Sequence, residues 1–161
     1  MVVALYVRHK TSEVGISSVS LENLKYYVNA SSPSRSPSFR LVLNTQIFFK
    51  NKFITDMKFK SSTAKVSYRG IEPGEASIRK LKVEAIEKFN TTIYMSSDKV
   101  PSYMYPLVGR DINSGKLSFV AYGKFKTLLN EFPYLKGSAR MNCSFVIHLG
   151  TQKVNPLSCK L

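Results

Sequence analysis

The feature that most constrains this chain is an alternation of apolar and polar residues with period two, recurring in one segment after another. From Phe39 the odd positions read Phe39, Leu41, Leu43, Thr45, Ile47 and Phe49, while the even positions include Arg40, Asn44, Gln46 and Lys50. Successive side chains of a β-strand point to opposite faces, so such a segment has one face for a core and one for water. Ala64, Val66 and Tyr68 against Lys65, Ser67 and Arg69 repeat the pattern, and Gly70 marks a turn after them. Val19 to Tyr27, Thr91 to Met95, Leu117 to Phe125, Met141 to Leu149 and Lys153 to Leu161 read as further strands. Turn residues fall at Pro73-Gly74, Asn113-Ser114-Gly115, Lys136-Gly137-Ser138 and Gly150. One stretch, Phe125 to Phe132 ahead of Pro133, reads as a short helix. Short strands separated by such turns predict a mainly β sandwich or barrel.

A length of 161 residues suits one domain, and a hydrophobic fraction of 43% is enough to bury a core. Residues 1–16 read as an N-terminal tail and 17–161 as the folded unit. Met1 to Val7 is an unbroken apolar run, too short for the roughly 20 residues that a membrane helix needs. It reads either as a frayed tail or first strand, or as the last turns of a truncated membrane helix.

Cys143 and Cys159 are the two cysteines. A hairpin folded about residue 151 pairs 143 with 159, 145 with 157 and 147 with 155. The cysteines then face each other across two antiparallel strands, within the span of a disulfide. The alternative is a pair of free thiols in a cytosolic core. Pro156 fits only an edge or bulged strand, because it lacks the N–H that a ladder needs. Three glycosylation sequons start at Asn29, Asn90 and Asn142, and together with the bridge they point to an oxidising, extracytoplasmic setting.

Catalytic signals are thin. No nucleophile elbow, glycine-rich phosphate loop or zinc-ligand spacing is present, and His148 stands on the polar phase of its strand. Glu72 with Glu75, and Glu84 with Glu87, read as solvated carboxylates. The chain is therefore expected to be non-enzymatic and to need no cofactor or metal. Its charge is the remaining lead: 24 Lys and Arg against 10 Asp and Glu give +14. Lys50, Lys52, Lys58, Lys60, Lys65 and Arg69 lie within 20 residues whose single acid is Asp56. They read as a solvated face or as a docking surface for a polyanion: anionic cell-wall polysaccharide, anionic lipid or acidic protein. Tyr68, Tyr103 and Tyr105 would add stacking or sugar contacts. Nucleic acid is disfavoured, since the basic residues are mostly Lys and no recognised binding motif accompanies them.

Several stretches resemble the plant late embryogenesis abundant group-two domain, also called the water-stress and hypersensitive-response domain, of harpin-induced, disease-resistance-like membrane proteins. They are LVLNTQIFFKNKF (41–53), AKVSYRG (64–70), LSFVAYG (117–123) and RMNCSFVIHLGTQKVNPLSC (140–159). The corner Lys50-Asn51-Lys52-Phe53 lacks the family's proline. The resemblance implies an immunoglobulin- or fibronectin-III-like antiparallel β-sandwich of about seven to nine strands, with at most one short helix. It further implies a non-enzymatic stress- or defence-response module outside the plasma membrane, and it carries over no catalytic residue. The alternative is a soluble intracellular desiccation-protection protein with weak membrane or protein binding.

Overall fold

The computed structural model describes residues 12–28, 36–51, 56–129 and 136–160. Among these residues ten strands run in chain order as β1 (Glu13–Tyr27), β2 (Ser38–Lys50), β3 (Met57–Phe59), β4 (Ser62–Tyr68), β5 (Ile71–Ile78), β6 (Leu81–Val83), β7 (Ile86–Ser96), β8 (Lys116–Leu129), β9 (Lys136–His148) and β10 (Lys153–Cys159). One α-helix, α1 (Tyr105–Ser114), joins β7 to β8. All pairings are antiparallel, and they form two sheets packed as a sandwich. The smaller sheet is β1-β2-β7. The larger runs β10-β9-β8 and then divides. Beside β8, β3 pairs with Thr127–Leu129 and β4 with Val120–Tyr122, while β6 lies outside β3 and β5 outside β4.

That division explains the count of ten strands where seven to nine are expected. β3 and β4 are one strand interrupted at Lys60-Ser61, and β5 and β6 are one strand interrupted at Arg79-Lys80. Counting each interrupted pair once leaves 10 − 2 = 8.

The period-two rows become the core. Phe39, Leu41, Leu43, Thr45, Ile47 and Phe49 of β2 are buried, as are Ala64, Val66 and Tyr68 of β4 and Leu117, Phe119, Ala121 and Phe125 of β8. Edge-to-face rings fasten each end of the sandwich. Phe39 meets Tyr68 at 5.2 Å and Phe119 at 6.0 Å, and Phe49 meets Phe59 at 5.1 Å and Phe125 at 5.6 Å. Such pairs add about 0.5–1.5 kcal/mol each beyond the area they bury.

β1 starts six residues before the Val19 expected from the sequence. Its ladder slips between Ile16 and Ser18 and again between Leu21 and Asn23. Each bulge reverses the inward phase, so Val14 and Ile16, then Val19 and Leu21, then Leu24 all face the core. A strict period-two reading breaks at both places.

Three expected elements are corrected. Pro73-Gly74 is not a turn but the buried middle of β5. A Cβ on Gly74 would stand 2.8 Å from the Tyr94 carbonyl oxygen and 2.6 Å from Met95 Cγ, so glycine is there because β7 passes so close. Lys136-Gly137-Ser138 already belongs to β9, paired with Leu128, Thr127 and Lys126. The helix expected at Phe125 to Phe132 is strand as far as Leu129, and the rest of it lies outside the described residues. Phe125 and Thr127 point inward and Lys126 outward, a strand pattern that the adjacent Leu128 and Leu129 disguise.

The real helix is α1. Met104, Val108 and Ile112 recur every four residues and are buried, Pro106 occupies the first turn, and Gly115 caps the C-terminus at φ +81°. Of Asn113-Ser114-Gly115, read as a turn, the first two form the last helical turn. Among the described residues no helix is long and apolar enough to cross a membrane. Met1 to Val7 lies outside the described residues.

Candidate functional site

Of the six basic residues taken together from the sequence, the five that the structure describes do not form one surface. Arg69 turns away at the β4–β5 hairpin and makes a bidentate pair with Asp111 of α1, donating from Nε at 2.8 Å and Nη2 at 2.7 Å. The Tyr68 hydroxyl donates to the same carboxylate. Burial first, then that hydrogen bond, pushes the Tyr68 phenol well above its usual value. Tyr68 is 1% exposed and packed among rings, so it cannot offer the stacking face expected of it. Tyr103 is exposed and Tyr105 half-buried, both beside the helix.

Lys65 pairs with Glu72 at 3.6 Å, and Tyr122 donates its hydroxyl to the other oxygen of that carboxylate. The Tyr122 hydrogen bond and the neighbouring Lys65 charge hold the Glu72 carboxyl below the usual range. Lys50 ends β2 and stands on the smaller sheet. Lys52 lies outside the described residues.

Lys58 and Lys60 belong to a different constellation. At the double interruption of the strands the larger sheet opens into a groove of about 840 Å³. Six lysines line it: Lys58, Lys60, Lys80, Lys82, Lys124 and Lys126. They come as three triplets, Lys58-Phe59-Lys60, Lys80-Leu81-Lys82 and Lys124-Phe125-Lys126, on the neighbouring strands β6, β3 and β8 and their immediate ends. In each triplet the middle residue is buried and both lysines are exposed. Lys58 stands directly opposite Lys82 in the register, and the Lys60 N–H donates to the Lys126 carbonyl at 3.0 Å, which brings the third triplet alongside. Asp56 reaches Lys82 at 3.4 Å. Among the described residues the other five lysines have no carboxylate at pairing distance.

Like charges directly opposed across a ladder destabilise a sheet, by up to about 1 kcal/mol per pair. The groove therefore holds a local conflict that the fold itself does not need. Four of its lysines were missed because the sequence run was chosen by closeness along the chain. The legible signal was the threefold repeat of lysine, apolar residue, lysine.

The two cysteines sit where the hairpin puts them. Cys143 is opposite Cys159, Ser144 opposite Ser158 and Phe145 opposite Leu157, and a disulfide joins the cysteines. The ladder then slips, so that Ile147 faces Val154 rather than residue 155. The bulge absorbs Asn155 and Pro156 on a strand that pairs on one side only. His148 Nε2 lies 2.9 Å from the Asn155 carbonyl oxygen, which commits this histidine to the hairpin. The Ile16 N–H donates to Cys159 Sγ at 3.4 Å, so the bridge also touches β1 of the opposite sheet.

Two sequons stand on outer strand faces. Asn142 is exposed, as is Asn90, whose Oδ1 accepts from Gln46 Nε2 at 3.1 Å. Asn29 lies outside the described residues. Glu75, Glu84 and Glu87 are exposed, and no group of three or more His, Cys, Asp and Glu side chains converges among the described residues.

No family model matches this chain, and no curated protein does. Three solved structures are similar to it in outline. A protein from Archaeoglobus fulgidus is 9% identical with a TM-score of 0.46, over 83% of this chain and 96% of that one. The Northeast Structural Genomics Consortium target SoR45 is 12% identical with a TM-score of 0.43, over 84% of each chain. An Arabidopsis thaliana protein known from its solution structure is 12% identical with a TM-score of 0.46, over 87% of this chain and 82% of that one. Likenesses at this level say nothing about what the chain does.

Proposed function

We propose that this chain is a non-enzymatic binding or protective module on the extracytoplasmic side of the plant plasma membrane or in the cell wall, of the kind found in stress- and defence-response proteins. The observation that carries the reading is the Cys143–Cys159 pair, set opposite by the hairpin and bridged. Disulfides persist in oxidising compartments and are rare in the cytosol. The exposed sequons at Asn90 and Asn142 are consistent with passage through the secretory route.

A purely binding role is supported by how the ionisable groups are used. Asp111 holds α1 to the hairpin, Glu72 is engaged by Tyr122 and Lys65, and His148 braces the closing hairpin. The partner is an anionic surface or chain, because the chain carries +14 and six lysines line one groove.

The test is expression through a plant secretory pathway, followed by peptide mass spectrometry without reduction and by deglycosylation. A bridged Cys143–Cys159 peptide and a mass loss on deglycosylation are expected. Two alkylatable thiols and no mass loss would overturn the reading in favour of an intracellular desiccation-protection protein.

A further inference from the structure

We infer that the six-lysine groove is a binding site for a linear acidic polysaccharide of the polyuronate type. The choice of a polysaccharide rests on the extracytoplasmic reading above; the site itself rests on geometry.

Neighbouring strands lie about 4.8 Å apart and alternate residues on one strand about 6.6 Å apart. Lys58 faces Lys82 on one side and Leu128 on the other, which places Lys126 beside Lys60 and Lys124 two residues beyond it. The three triplets therefore form a staggered array about 10 Å across and about 13 Å along the strands, and among the described residues its six ammonium groups are countered by Asp56 alone. The long stems of lysine let the charges spread when the groove is empty and converge when an anion enters. Every cation of the groove is lysine and none is arginine. An arginine fork reads the planar geometry of one carboxylate or phosphate, whereas lysines act as point charges. The groove thus recognises charge density along a chain more than the shape of a single group.

The same residues argue against the other polyanions. A membrane-docking surface adds apolar insertion to its basic charge. Among the described residues none of the large exposed apolar side chains (Tyr26, Ile86, Tyr94, Tyr103 and Val120) lines the groove, and Leu128, which does, is half-buried. The lysines surround a concavity, which suits a chain laid into it better than a flat bilayer. Single-stranded nucleic acid is held by aromatic side chains stacked on its bases. Phe59 and Phe125, the aromatic residues of the triplets, are 1% and 0% exposed and face the core. What remains is a chain rich in anionic groups, with neither bases nor acyl tails.

Calorimetric titration of the purified, oxidised protein with a defined polygalacturonate oligomer tests this. Binding is expected at low salt and should fall steeply as the screening length shrinks from about 10 Å at 0.1 M to about 3 Å at 1 M. The fully methyl-esterified oligomer should not bind. Replacing three groove lysines together (Lys58→Ser, Lys82→Ser and Lys126→Ser) should weaken binding by at least about tenfold. Replacing three exposed lysines elsewhere (Lys25→Ser, Lys88→Ser and Lys153→Ser) removes the same charge and should change it by less than about threefold. Thermal melting confirms that both variants fold. Equal losses in the two variants would overturn the proposal, because general charge would then account for the attraction. Tighter, groove-dependent binding of phosphatidylserine vesicles, oligothymidylate or polyglutamate would overturn it in favour of that partner. The assay is blind to cellular compartment, so its failure leaves the extracytoplasmic reading standing. Free thiols in the secreted protein would leave the groove standing.

Discussion

Thr45 is the residue whose chemistry fits its surroundings least. It occupies an inward position of β2 between Leu43 and Ile47 and is 3% exposed. Its Oγ1 is buried without a hydrogen-bond partner. An unsatisfied buried hydroxyl costs about 1–3 kcal/mol, whereas a methyl of the same shape costs nothing there. Thr45→Val is therefore expected to stabilise by about 1 kcal/mol and to raise Tm by about 2–4 °C, read by thermal unfolding. An unchanged or lower Tm would mean that the hydroxyl has a partner. Asn51 shows the opposite case. It is buried, yet its Nδ2 donates to the carbonyls of Val83 at 3.0 Å and Glu84 at 3.1 Å, and its backbone N–H donates to Ala85 at 2.8 Å. The asparagine of the corner after β2 thus ties the small sheet to the loop beyond β6, a role that proline-free Lys50-Asn51-Lys52 does not reveal.

Among the elements, α1 depends on an ionic latch. Burial pushes the Asp111 carboxyl up, but the hydrogen bonds from Arg69 and Tyr68 and the Arg69 charge outweigh it and hold the carboxyl below the ordinary range. A carboxylate whose pKa is lower when folded contributes stability that is fully present above the unfolded value of about 3.9 and is lost as pH falls through the folded value. Arg69 is partly exposed, which screens the pair. Asp111→Asn is thus expected to cost about 1–2 kcal/mol at neutral pH and less at about pH 3, measured by urea unfolding at both. An equal cost at both pH values would show that the charge is not what holds the helix. The lysine triplets are also a feature of elements rather than of residues. Each one alone is an ordinary half-buried strand segment, and only the pairing of β3 with β6 and β8 makes them a groove.

At the scale of the molecule, the disulfide joins the edge strand β10 to β9 and lies against β1 of the other sheet. Closing a loop of about 15 residues stabilises by about 3 kcal/mol in the chain-entropy account. Replacing both cysteines by alanine should lower Tm by roughly 6–12 °C, at about 2–4 °C per kcal/mol for a chain of this size. A loss of a few degrees or less would mean that β10 is held by its ladder alone. Part of the +14 charge is countered locally: among the described residues Arg69, Lys65, Lys82 and Arg40 pair with Asp111, Glu72, Asp56 and Asp98, while five lysines without a carboxylate at pairing distance share the groove.

By itself the sequence determined the mainly β character, the inward rows of β2, β4, β8 and β9, and the opposition of Cys143 to Cys159. These depend on a period of two and on hairpin arithmetic, both local to the chain. It misplaced what depends on a neighbour. Bulges in β1 reverse the phase, Gly74 answers to the approach of β7, and Leu128 and Leu129 imitate a helix while pairing with β3. The Met104, Val108 and Ile112 spacing of α1 has the helical period, but the Asn113-Ser114-Gly115 that ends it reads locally as a turn. The basic site shows the same division. Closeness in sequence joined Lys58 and Lys60 to Lys65 and Arg69, but tertiary pairing gave the latter two to Glu72 and Asp111 and brought in Lys80, Lys82, Lys124 and Lys126. Strand order decides which charges share a surface, and strand order follows from how the two sheets bury their apolar faces together, which no segment of the chain specifies alone.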